Sequence, residues 1–270
     1  MSDMTGSAMQ CPASDMIAFM AGLPKISRPI ITKWFRQSPD IETKADQSPV
    51  TIADRGVETA LRTAVLSRFP EDNIIGEEFG EATSTRSPYH WIIDPIDGTK
   101  AFISGKPAFG TLVGLVHETK PVAGLVDMPT LGETYIGLNG FDGHHHASLN
   151  GKAISPSHCR ALASARIATT SPRALSRLGQ PVFDRLANRA AVTNYGGDCH
   201  NYALLAAGHI DLVMEDSLAP HDIMAVVALM LAAGAVVTDL AGSAVRYGET
   251  TSLLAAATPQ LHQEALALSA

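Results

Sequence analysis

Apolar positions early in the chain recur with a helical period. Ile17, Met20, Leu23, Ile30, Ile31 and Trp34 line one side of residues 15–37, and Pro24 and Pro29 interrupt them. The pattern predicts a bent or split helix, because proline removes a donor and crowds the preceding turn. A second helix is predicted from Ala53 to Arg68, ended by Pro70. Short strands are expected at Ile74–Ile75 and His90–Ile93. The stretch "FGTLVGLVHETKPVAGLVDMP" holds two apolar runs about a polar His-Glu-Thr-Lys, which is a hairpin signal. "ETYIGL" and "GHHHASL" extend the same antiparallel sheet.

From about residue 160 the pattern changes. Strand-like "ARIATT", "AAVTNY", "HIDLVME" and "SLLAAAT" alternate with helix-like "DCHNYALLAAG", "HDIMAVVALMLAAG" and "PQLHQEALALSA". Such alternation belongs to α/β architecture. The expected organisation is an N-terminal α+β half (residues 1–155) with an antiparallel sheet, layered against a C-terminal α/β half (residues 156–270) as one unit. No repeat, low-complexity tract or long Gly/Ser linker divides them.

Bulk properties narrow the function. The 270 residues are 46% hydrophobic and 17% charged, as in an ordinary globular chain. No run approaches the roughly 20 apolar residues that cross a bilayer. The first residues lack the basic n-region and apolar stretch of a secretory signal, so a cytoplasmic address is expected. Cys11, Cys159 and Cys199 are odd in number and widely spaced, which suits reduced thiols rather than a disulfide frame or a zinc site. The net charge of −7 opposes nucleic-acid binding. A small phosphorylated substrate is repelled too, unless bound cations reverse the sign locally.

That condition gives meaning to "YHWIIDPIDGTKAFISGKP" (89–107). An apolar strand ends in Asp94-Pro95-Ile96-Asp97, placing two carboxylates where a sheet opens to solvent. Pro95 biases Asp94 away from helix, so the backbone is expected to turn there and aim both side chains at one point. Two close carboxylates repel, and a hard divalent cation relieves them. An all-oxygen set suits Mg²⁺ or Mn²⁺ rather than zinc. Gly98 and Thr99 could then open a short helix whose free N–H groups cradle a phosphate. The plain alternative is a solvated Asp-Gly turn.

Other acidic positions bear on that choice. Glu77 and Glu78 follow an apolar strand, Asp46 and Asp54 flank a turn, and Asp222 opens a strongly apolar helix. Each alone reads as a loop or a helix cap; together they are strand-end and helix-start carboxylates in a chain of low charge. Three features are set aside. The consecutive histidines of "GHHHA" alternate faces of a strand, Cys199 reads as buried filler, and His221 reads as a packed or capping residue, otherwise a pocket wall. No GxxxxGK[ST] loop is present.

In their order, "SPVTIAD" (48–54), "GEE" (76–78), "DPIDGT" (94–99) and "GGDCHNYALLAAGHIDLVMEDSLAPHDIMA" (196–225) resemble the inositol monophosphatase superfamily of metal-dependent phosphomonoesterases. The likeness runs from about residue 15 to 260, and in detail it is most similar to the histidinol-phosphate phosphatase branch. It implies a layered αβαβα sandwich and a homodimer. It also implies metal ligation by Glu77, Asp94, the Ile96 carbonyl, Asp97 and Asp222, with two or three Mg²⁺ per chain. By the same likeness Gly98 and Thr99 face the phosphate, Thr99 and Asp54 orient the attacking water, and Glu77 touches that water or a third ion. Glu215 meets the alcohol portion of the substrate, and Asn194 and Asp198 lie near its head group. The chain departs from the common pattern at His221, where Trp is frequent, and at Phe79, where Ser is frequent. The expected reaction is hydrolysis of L-histidinol phosphate. Alternatives are a phosphatase for inositol 1-phosphate, sugar bisphosphates or 3′-phosphonucleotides, and a non-catalytic regulatory protein on the same fold.

Overall fold

A computed structural model describes residue 8 and residues 11–36, 41–43, 49–82 and 87–269. The expected N-terminal helix is split. α1 (Ala13–Gly22) ends before Leu23, and α2 (Pro24–Trp34) starts with Pro24 in its first turn, where no intrahelical donor is lost. Pro29 is carried inside α2. A short hairpin, β1 (Ile41–Thr43) and β2 (Pro49–Thr51), leads into α3 (Ile52–Arg68). Asp46 lies outside the described residues.

The larger sheet contains β3 (Asn73–Gly76), β4 (Gly80–Ala82), β5 (Tyr89–Asp97), β6 (Gly110–His117), β7 (Lys120–Met128), β8 (Glu133–Phe141), β9 (His144–Leu149) and β10 (Lys152–Ala153), with the five-residue helix α4 (Thr99–Ile103) after β5. Its spatial order is β10-β9-β8-β7-β6-β5-β3-β4, and β3 runs parallel to β5 in an otherwise antiparallel array. The smaller sheet is built from β11 (Arg166–Thr169), β12 (Val192–Tyr195), β13 (Leu212–Asp216), β14 (Val236–Thr238) and β15 (Ser252–Ala256), in the order β12-β11-β13-β15-β14. The helices of this half are α5 (Gly179–Ala187), α6 (Cys199–Ala206), α7 (Pro220–Ala233) and α8 (Pro259–Leu266).

Five layers follow from where apolar faces are buried. One core joins α1–α3 to the larger sheet through Met16, Met20, Leu61 and Trp91. A second places α6 and α7 between the sheets, and a third packs α5 and α8 on the far face of the smaller one. α7 is apolar all round and buried from Ile223 to Met230, as a helix between two sheets must be. It reaches the larger sheet through a row of glycines: Gly114, Gly124 and Gly137 are cross-strand neighbours on β6, β7 and β8. A Cβ at Gly124 would stand 2.0 Å from the Ala225 carbonyl oxygen, and one at Gly137 2.5 Å from Leu229 Cα. The bare backbone lets α7 sit close enough to deliver its first turn to the end of β5.

One local expectation is corrected. β5 does not turn at Pro95 but continues to Asp97. Asp94 pairs with Leu112 and Asp97 with Gly110, so three steps on β5 face two on β6. The proline occupies this irregularity, where its missing N–H breaks no ladder bond.

Candidate active site

The bulge sets the geometry. Asp94 is 2% exposed, and its Oδ1 has no hydrogen-bond partner among the described residues. One ligand oxygen each from Asp94, Asp97 and Asp222 lie within 4.8 Å of one another, and so do ligand atoms of Glu77, Asp94 and His221. Glu77 comes from the turn after β3, with its N–H donating to the Ile93 carbonyl at 3.1 Å. Asp222 comes from the first turn of α7, where its Oδ2 also accepts the Ala219 N–H at 2.7 Å. The capping role and the convergence therefore coexist. Asp97 Oδ2 accepts the Cys199 N–H at 2.6 Å, at the start of α6.

Electrostatics follow from this crowding. Burial first, then Asp97, Glu77, Asp222 and Asp54, push the Asp94 carboxyl well above the usual carboxylate range. Burial, then Asp198 and Asp222, do the same to Asp97. Asp222 is raised by burial, offset in part by His221. A buried, unpartnered carboxylate oxygen facing other carboxylates is costly. An oxygen-rich set of this kind fits a hard divalent cation, which would satisfy the orphaned Asp94 Oδ1 and neutralise its neighbours.

Two cavities meet here. The first, of about 190 Å³, is lined by Glu77, Asp94, Ile96, Asp97, Gly98, Thr99, Lys100, Asp198 and Asp222. The second, of about 210 Å³, shares Asp97, Lys100, Asp198 and Asp222 with it and extends past Ser171, Leu175, Tyr202, Glu215 and Leu218. Among the described residues, Lys100 is the single cation lining either. Gly98 adopts the left-handed conformation (φ 85°) that turns β5 into α4. The Thr99 hydroxyl donates to the Ile96 carbonyl at 3.1 Å. Asp54 lies in the first turn of α3, buried at 2% exposure, close enough to raise Asp94.

Glu215 is held rather than loose. Its oxygens accept the Thr170 N–H at 2.6 Å and the Tyr202 hydroxyl at 3.0 Å. Burial nevertheless lifts its carboxyl to about 6, against those two bonds. Burial also lifts Asp198 to about 6, opposed chiefly by Lys100.

The structure thus gathers Glu77, Asp94, Ile96, Asp97, Gly98, Thr99 and Asp222 around one cavity and Asp198 and Glu215 around its extension. It does not bring Asn194 there: that residue sits on the edge strand β12 and lines neither cavity. His221, set aside on sequence grounds, stands instead beside Glu77 and Asp94. The backbone donors of Cys199 and Thr170 carried no sequence signal, since any residue but proline supplies an N–H.

Comparison with known proteins gives the family. The sequence model of the inositol monophosphatase family matches residues 13–270. The chain is 41% identical over 252 residues to the chloroplastic bifunctional phosphatase IMPL2 of Arabidopsis thaliana, covering 90% of this chain and 72% of that one. It is 34% identical to a histidinol-phosphatase of Mycobacterium tuberculosis over 84% of this chain and 86% of the other. An inositol monophosphatase from Zymomonas mobilis superposes with a TM-score of 0.84 at 36% identity, covering 96% of this chain and 99% of that one. The chain belongs to the inositol monophosphatase family, and it is a phosphoric monoester hydrolase acting on small phosphorylated substrates.

Proposed function

We propose that this enzyme hydrolyses L-histidinol phosphate to L-histidinol and inorganic phosphate, with two or three Mg²⁺ ions at the carboxylate cluster and Mn²⁺ able to replace them. The observation that carries the substrate is the leaving-group cavity. Beyond the cluster it presents two further carboxylates, Asp198 at the junction and Glu215 in the wall. Two anionic acceptors suit a leaving alcohol that carries an ammonium and an imidazole N–H. A neutral polyol such as inositol would call for uncharged partners.

Glu77, Asp94, the Ile96 carbonyl, Asp97 and Asp222 would hold the cations. When bound, these supply positive charge against the phosphate dianion and the departing alkoxide, and lower the pKa of a coordinated water. The remaining work falls to this chain's own groups. The Gly98 and Thr99 amides face the phosphoryl oxygens, and Thr99 with Asp54 orients the water, which attacks in line as the P–O ester bond breaks. A proton ends on the leaving oxygen, and no serine or cysteine nucleophile takes part. Asp198 and Glu215 hold the head group, so that its binding energy orients the phosphoryl group. The likeness to histidinol-phosphatases supports this reading, and the family resemblance supports a homodimer.

The test compares kcat/KM for L-histidinol phosphate and inositol 1-phosphate in Mg²⁺, with EDTA as control. A clear preference for histidinol phosphate that EDTA abolishes is expected. A preference for the inositol ester overturns the substrate assignment, and turnover that survives EDTA overturns the metal.

A further inference from the structure

The turn between β3 and β4 carries Glu77, and α3 grips it. Glu58, one helical turn after Asp54, is fully buried. Its Oε2 accepts the Glu78 N–H at 2.7 Å. Its Oε1 accepts the Phe79 N–H at 3.3 Å and Arg62 Nε at 2.7 Å. Arg62 also donates to the Gly80 carbonyl, and Arg55 pairs with the Glu78 carboxylate at 3.8 Å. At Gly76 a Cβ would lie 1.9 Å from Glu58 Oε1, so the carboxylate rests directly against the strand backbone. On its other side the same turn is tied to β5 through the Glu77 N–H and the Ile93 carbonyl, one residue before Asp94.

We infer that Glu58 is a positioning residue for the cation site: it sets the direction of Glu77 towards Asp94 without being a ligand itself. The inference rests on the proposal that the carboxylate cluster binds divalent cations. Both Glu58 oxygens accept from protein donors, and the residue lines neither cavity, so it is not placed to ligate a cation itself. Charge-assisted bonds to two successive backbone N–H groups fix the turn more firmly than apolar packing would. Asp54 and Glu58 also share one face of a 17-residue helix, at the i, i+4 spacing. A single rigid element therefore sets both the Asp54 side of the site and the Glu77 side.

A brace that only stabilised the fold would lower the melting temperature and leave cation affinity alone. A positioning group changes the affinity. The experiment measures Mn²⁺ binding to substrate-free protein by electron paramagnetic resonance, for wild type, Glu58→Gln and Arg62→Lys. The glutamine turns an amide nitrogen towards donors that need an acceptor. Loss of such an outer partner weakens metal binding by about 10- to 100-fold, and turnover is expected to recover at saturating cation. Arg62→Lys keeps the carboxylate and its two backbone bonds, and is expected to show a smaller loss in the same direction. Wild-type Mn²⁺ affinity in folded Glu58→Gln overturns the inference. Should that variant fail to fold, unchanged affinity in Arg62→Lys overturns it instead. If wild type itself binds no Mn²⁺, the cation reading falls first, which separates the two failures.

Discussion

Replacing Asp94 with asparagine should move stability in opposite directions with and without metal. In the metal-free protein Asp94 is buried, its Oδ1 lacks a partner among the described residues, and Asp97, Glu77, Asp222 and Asp54 all press on its charge. An unsatisfied buried acceptor costs about 1–3 kcal/mol. The substitution removes the charge at constant shape, and the new amide offers two N–H donors to the surrounding carboxylates. The Asp94→Asn variant is therefore expected to gain about 1–3 kcal/mol in EDTA, at roughly 2–4 °C per kcal/mol for a chain near this size. Cations reverse the order. Saturation at a hundred times Kd adds about 2.7 kcal/mol to wild type, and the variant forfeits most of it together with turnover. Scanning calorimetry of both proteins in EDTA and in excess Mg²⁺ reads the crossing directly. If Asp94→Asn melts below wild type in EDTA, the carboxylate is favourably solvated or paired there, and the argument from crowding fails.

Other outcomes test neighbouring links. Folding raises Asp198 from 3.8 and Glu215 from 4.5, each to about 6; the native state then holds more protons than the unfolded chain in that interval, so these groups cost stability as pH rises through it. Metal-free Asp198→Asn is accordingly expected to gain on wild type in melting temperature between roughly pH 4 and 6, and a difference that is flat with pH refutes the shift. In activity assays, Asp198→Asn should raise KM for histidinol phosphate far more than for inositol 1-phosphate; an equal change for both substrates would remove Asp198 from head-group recognition. Gly124→Ala places a methyl 2.0 Å from the Ala225 carbonyl oxygen, so α7 must lift. A loss of about 1–3 kcal/mol, with weaker Mg²⁺ binding because Asp222 moves too, is expected by denaturant titration and calorimetry. Unchanged stability would mean that the helix does not depend on the bare glycine row.

Local pattern alone determined much of this protein. Apolar runs about a polar turn marked β6 and β7, "ETYIGL" marked β8, and a strongly apolar stretch marked α7, because an element buried on both faces or all round reads as a nearly continuous apolar run. The strand-end carboxylates Asp94 and Asp97 and the helix opening after Gly98 were legible because they are properties of consecutive residues; that β5 runs on past Pro95 through a bulge, and that Gly98 is left-handed, was not. Short elements were harder to read. α5 carries Gly179 and Pro181, and β14 spans only Val236–Thr238, so neither repeats its pattern enough to be seen. The tertiary structure alone decided which carboxylates meet. Glu77 arrives from the β3 turn, Asp222 from α7 over a glycine floor, and Asp198 from the start of α6, while Asn194 stays at a sheet edge. A ligand set is a relation between distant segments, fixed by how layers pack and where a bulge redirects a strand, and no single stretch of chain holds that information.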